Sequence, residues 1–125
     1  MTITLNHTVL AAADNERAAR RFAATMGLEF DGFGGVDGKF AAVRVNDQLR
    51  LFFVAVDPVV PQHLAFDVDG PTFDRIRDAL TAAGQPYGSS PRDTRNGRTD
   101  HPLAARGLLW VDPDGHLFEV MTDVP

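Results

Sequence analysis

The chain has 125 residues, 44% hydrophobic and 23% charged, with 12 basic against 17 acidic side chains and a formal charge of −5. That length suits one domain able to bury roughly two-thirds of its unfolded surface, and the acidic balance argues against a nucleic-acid partner, whose phosphates need a basic face. The lack of cysteine excludes disulfides, thiolate metal sites and cysteine nucleophiles. No run approaches the roughly 18 apolar residues of a membrane span. The first seven residues lack the basic and apolar regions of a secretion signal, so a cytoplasmic protein without a membrane partner is expected.

The first strand is expected where Ile3, Leu5, His7 and Val9 alternate with polar residues, a period of two. Asp14 then offers an N-cap, and Ala18, Ala19, Phe22, Ala23 and Met26 fall on one helical face up to Gly27, a natural helix stop. Residues 43–45 and 49–56 are β-rich runs around an Asn46-Asp47 turn. His63 to Val68 is another strand. A second helix begins near Gly70-Pro71, carries Phe73, Ile76, Leu80 and Ala83 as its apolar stripe, and stops at Gly84. Residues 88–106 are polar, hold four arginines, and read as a long loop of the kind that covers or contacts a ligand. Leu108–Val111 and Leu117–Met121 flank the turn Asp112-Pro113-Asp114-Gly115.

These elements repeat. His7 lies in a strand and the next helix ends at Gly27; His63 lies in a strand and the next helix ends at Gly84. The expected fold class is therefore α+β: two βαβββ modules, about 1–57 and 58–125, with curved mixed sheets around a cavity. Neither half is long enough to bury a sufficient core alone, so a single cooperative domain, 1–125, is expected.

Three residues stand out chemically. His7 and His63 hold equivalent positions in the two modules, and Glu119 interrupts the apolar run from Leu117 to Met121. A carboxylate in such a run is costly to bury without a partner. Two imidazoles and one carboxylate form the donor set of open mononuclear sites for Fe, Mn, Ni or Zn. His7, His63 and Glu119 are thus the candidate metal ligands, a divalent metal ion is the candidate cofactor, and no catalytic residue is assigned.

The stretches Leu5-Asn6-His7, Met26-Gly27-Leu28, Gln62-His63-Leu64-Ala65-Phe66 and Asp112-Pro113-Asp114-Gly115-His116-Leu117-Phe118-Glu119 together resemble the vicinal oxygen chelate superfamily. That superfamily includes glyoxalase I, extradiol dioxygenases, fosfomycin-resistance enzymes and bleomycin-resistance proteins. The resemblance implies a glyoxalase/bleomycin-resistance/dioxygenase-like fold. It implies an enzyme of the dioxygenase, lyase or isomerase kind that chelates neighbouring oxygens of a small molecule on a metal. The alternative it offers is a metal-free drug-binding protein of the bleomycin-resistance type. It also implies a homodimer, to which Phe30, Phe33 and Phe40 are candidate contributors.

The sequence departs from the glyoxalase pattern where a fourth ligand, usually Glu, is carried; the nearest residue here is Arg50. Arg50, Phe52, His101 and Trp110 are the candidate substrate-binding residues. Arg50 is expected to point away from the cavity, with Leu49, Leu51 and Phe53 lining it instead. Phe52 and Trp110 are aromatics able to sandwich a planar ligand, and His101 lies in the long loop within reach as an acid or base. His116, beside the turn, is expected to be a solvated loop residue.

Overall fold

The computed structural model describes residues 1–125, which form two compact units, Met1–Val60 and Pro61–Pro125. In the first, β1 (His7–Ala12) is followed by α1 (Asn15–Met26), β2 (Phe30–Gly34), β3 (Phe40–Arg44) and β4 (Arg50–Ala55). The sheet order is β1-β4-β3-β2, with β1 parallel to β4 and the other neighbours antiparallel. Asp14 caps α1 by accepting from the Arg17 N–H at 3.1 Å, and Gly27 ends it with φ of 72°. That left-handed conformation suits glycine, which has no Cβ to clash.

One sheet face is closed by α1. Leu10, Ala12, Leu51 and Phe53 alternate onto that face and are buried, and Phe22 of the helix meets Phe53 at a ring separation of 6.0 Å. The β3–β4 turn is shaped by Asn46, whose Oδ1 accepts from the N–H groups of Gln48 and Leu49, both at 2.9 Å. The alternation at Ile3 and Leu5 does not produce a strand. Residues 1–6 lie outside any sheet ladder and β1 begins at His7, because alternation forms a strand only where a neighbour supplies hydrogen bonds.

The second unit contains β5 (His63–Asp67), α2 (Gly70–Ala82), β6 (Arg106–Val111) and β7 (Leu117–Thr122), in the sheet order β5-β7-β6. β5 runs parallel to β7 and β6 antiparallel to it. Asp69 caps α2 through the Thr72 N–H at 2.8 Å, with proline in the first turn. Phe73, Ile76 and Leu80 are buried.

The fourth strand expected of this module is reduced to a single bridge, Gly88 to Leu109. The segment around it holds Pro86 and Pro91, which have no N–H to give a ladder. The loop that follows is tied down rather than loose. Asn96 and Ser89 exchange side-chain and backbone hydrogen bonds, and Gly97 N–H donates to the Tyr87 carbonyl at 2.8 Å.

Candidate active site

Strand parity decides which side chains reach the sheet face opposite each helix. In the first unit His7 is registered with Arg50, and Val9 with Phe52. These residues therefore share one face, while Leu51 and Phe53 turn toward α1. The expected outward pose of Arg50 is corrected: it stands on the face of His7, and Leu51 and Phe53 belong to the core. Leu49, just before β4, uses its backbone in the turn.

On this open face the rings of His7 and Phe52 are 5.3 Å apart, Phe40 and Phe52 are 5.5 Å apart, and the Arg50 guanidinium sits 4.8 Å from the Phe52 centroid. An arginine over an aromatic face is held in place by the ring quadrupole while its N–H groups stay available. His7 Nδ1 lies 2.8 Å from Asn6 Oδ1. Because that oxygen only accepts, Nδ1 carries the proton and Nε2 keeps its lone pair.

In the second unit Ala65 is registered with Glu119 and His63 with Leu117. His63 and Glu119 are thus diagonal neighbours on the face away from α2. His63 Nε2 meets Glu119 Oε1 at 2.8 Å, with the His63 side chain 48% exposed and that of Glu119 only 9%. The other carboxylate oxygen, Oε2, is in hydrogen-bond contact with His101 Nε2, whose side chain is 4% exposed. The costly carboxylate in the apolar run thus has both oxygens partnered, as burial requires.

Trp110 lies elsewhere. Across the β6–β7 hairpin it is registered with Phe118, and the rings stand 5.6 Å apart on the α2 side. Arg106 is on that side too, its guanidinium 4.6 Å from the Phe73 ring. The assignment of Trp110 to substrate binding is corrected: Leu109, not Trp110, is registered with Glu119. His116 is corrected as well. It is fully buried, and its Nδ1 accepts from the Gln62 N–H at 3.0 Å. Asp112 Oδ1 accepts from the N–H groups of Asp114 and His116, at 3.0 and 2.8 Å, and burial pushes the Asp112 carboxyl above its usual range.

With its sheets, helices and neighbours taken together, the chain belongs to the vicinal oxygen chelate superfamily. The solved structure of a protein called oxidase ChaP-H1 is 35% identical, covering 97% of this chain and 96% of that one at a TM-score of 0.87. Oxidase ChaP-H2 is 33% identical over 98% of this chain and 94% of its own, with a TM-score of 0.84. A possible glyoxalase from Bacillus cereus is 26% identical over 96% and 99% of the two chains, with a TM-score of 0.66. No protein-family profile and no curated protein sequence matches the chain. No helix is long and apolar enough to cross a membrane.

Proposed function

We propose that this protein is a metal-dependent enzyme of the oxidase or dioxygenase kind, acting on an oxygen-rich small molecule with a planar apolar part. The observation that carries the reading is Glu119, a buried carboxylate on the open sheet face with His63 Nε2 2.8 Å from one of its oxygens. The two structures named oxidase, both over 30% identical across nearly the whole chain, support the same class.

Imidazole nitrogen and carboxylate oxygen are donor types that a divalent ion takes. In the second unit His63 and Glu119 would supply a nitrogen and an oxygen, and in the first His7 keeps a donor lone pair on Nε2 beside the Nδ1–Asn6 bond. Such a bond from the remote ring nitrogen fixes the tautomer that ligation needs. When bound, the ion supplies Lewis acidity toward neighbouring substrate oxygens and, as Fe or Mn, redox capacity.

The chain's own residues do the rest. Phe40, half-buried beside Phe52, offers a ring to a planar ligand, and Arg50, stacked on the buried Phe52, offers N–H donors and a fixed positive charge to an ionised oxygen. Arginine cannot replace the missing fourth ligand, so the chain lacks the carboxylate that glyoxalase chemistry draws on at that position.

A homodimer is part of the proposal, since each sheet ends in outer strands that a partner would cover. Metal analysis of untagged protein purified without chelator tests the reading. Near one equivalent of Fe, Mn, Ni or Zn is expected, lost in His63→Ala. A wild-type protein that takes up none of these on reconstitution would support metal-free drug binding instead, a reading favoured by the aromatic run His7, Phe52 and Phe40.

A further inference from the structure

We infer that His101 is a positioning residue that holds and orients the Glu119 carboxylate, and that Gly107 is the residue that admits it. The inference rests on the reading of Glu119 as a metal donor. It concerns a loop histidine that the repeat does not pair with anything in the first unit.

The tautomer follows from the partners. The Leu103 N–H donates to His101 Nδ1 at 3.0 Å, so that nitrogen presents its lone pair to the backbone. A neutral ring with Nδ1 accepting carries its proton on Nε2. Nε2 is the atom on Glu119 Oε2. His101 therefore donates to the carboxylate and has no lone pair directed at the site. Its role is to hold a ligand, not to be one.

The loop that delivers the ring is fixed to the sheet. The N–H groups of His101 and Gly107 donate to the same Thr99 carbonyl, at 3.0 and 2.9 Å. Gly107 is registered with Met121 on β7, two positions from Glu119 along that strand. A Cβ built on Gly107 would lie 2.7 Å from both Cβ and Cγ of His101. Gly107 has no positive φ, so its backbone conformation suits alanine, and the three atoms nearest the added Cβ all belong to the His101 side chain. The glycine is thus a cradle for the ring.

The physical effect is on orientation and basicity. With Oε2 engaged by Nε2–H, the carboxylate is fixed in rotation and Oε1 is the oxygen that stands toward His63. Partners of this kind behind a metal ligand typically change metal affinity about 10–100-fold when removed.

The test uses the full chain and Co(II) and Zn(II) as probes. Long-range 1H–15N correlation on the metal-free protein should show one imidazole protonated at Nε2 with an unprotonated Nδ1. Its signal should vanish in His101→Leu and move in Glu119→Gln and in Gly107→Ala. Titration with Co(II), followed by its visible spectrum, and competition with Zn(II) should show His101→Leu and Gly107→Ala binding at least tenfold more weakly than wild type. His101→Gln, which keeps an amide donor at similar reach, should stay within about threefold of wild type. Circular dichroism checks that each variant is folded. An Nδ1–H tautomer for His101, or wild-type Co(II) affinity in folded His101→Leu, overturns the inference. A wild-type chain that binds neither metal overturns the proposed function, while the tautomer measurement still decides whether His101 holds Glu119.

Discussion

His116→Leu is expected to weaken the fold, although it replaces a polar group in a fully buried position with an apolar one of similar size. The reason is the Gln62 N–H. It donates to His116 Nδ1 at 3.0 Å, and Gln62 immediately precedes His63 on β5. Its carbonyl is already used, accepting from the Leu117 N–H at 2.9 Å. Leucine offers no acceptor, so a donor in a partly buried position loses its partner. That loss costs about 1–3 kcal/mol, against which the better transfer of leucine returns only part.

For a domain of this size 1 kcal/mol corresponds to about 3–6 °C in Tm, so a fall of several degrees is expected. His116→Asn supplies the control, because its Oδ1 reaches about where Nδ1 stands and accepts the same N–H. Paired urea and thermal unfolding should rank wild type above Asn and Asn above Leu. If Leu matches wild type in both experiments, the Gln62 bond contributes nothing and the role given to His116 is wrong.

Four further outcomes are expected. Burial raises the Asp112 carboxyl above 3.8; its folded form then holds the proton more tightly than the unfolded chain. The resulting stability is fully present below 3.8 and lost as pH rises through the folded value. Asp112→Asn, which keeps the Oδ1 acceptor, should flatten that part of a stability–pH profile without lowering stability at neutral pH. Phe53→Ala, at a fully buried position under α1, should cost about 3–5 kcal/mol in urea unfolding, whereas an equally stable variant would contradict the assignment of this strand face. Arg50→Ala should raise KM at least tenfold for a substrate with an ionised oxygen and much less for its neutral analogue; equal effects would remove Arg50 from anion recognition. Sedimentation at micromolar concentration should show a species of twice 13.6 kDa, and a species of 13.6 kDa alone would exclude the proposed dimer.

Local signals located the two helices, because Asp14 and Gly27 act through bonds within a few residues of themselves and the apolar stripes repeat at helical spacing. The same locality explains the extra strand expected at Ile3 and Leu5: alternation is a local property, but a ladder needs a distant neighbour. The pairing of His63 with Glu119 was legible because both lie in clear strands of one module.

Trp110 could have been placed from sequence, since a tight Asp-Pro-Asp-Gly turn fixes hairpin register and puts Trp110 opposite Phe118 rather than Glu119. Arg50 needed the parallel register of β1 on β4, which no turn specifies. The contact of His101 with Glu119 had no periodic signal at all. It depends on an irregular loop and on a glycine whose importance is the missing side chain.

The strand order also governs when the site is assembled during synthesis. β5 has one neighbour in its sheet, β7, which is the last strand of the chain, and His63 meets a partner 56 residues further on. Closing so long a loop has an entropic cost that local hairpins avoid, and topologies dominated by such pairings fold slowly. As the chain emerges from the ribosome, β5 stays without its ladder until Leu117 and the residues after it are made. The face that carries His63 is therefore the late-forming part of the second unit, and a chain truncated before Leu117 leaves an unpaired apolar strand prone to aggregation.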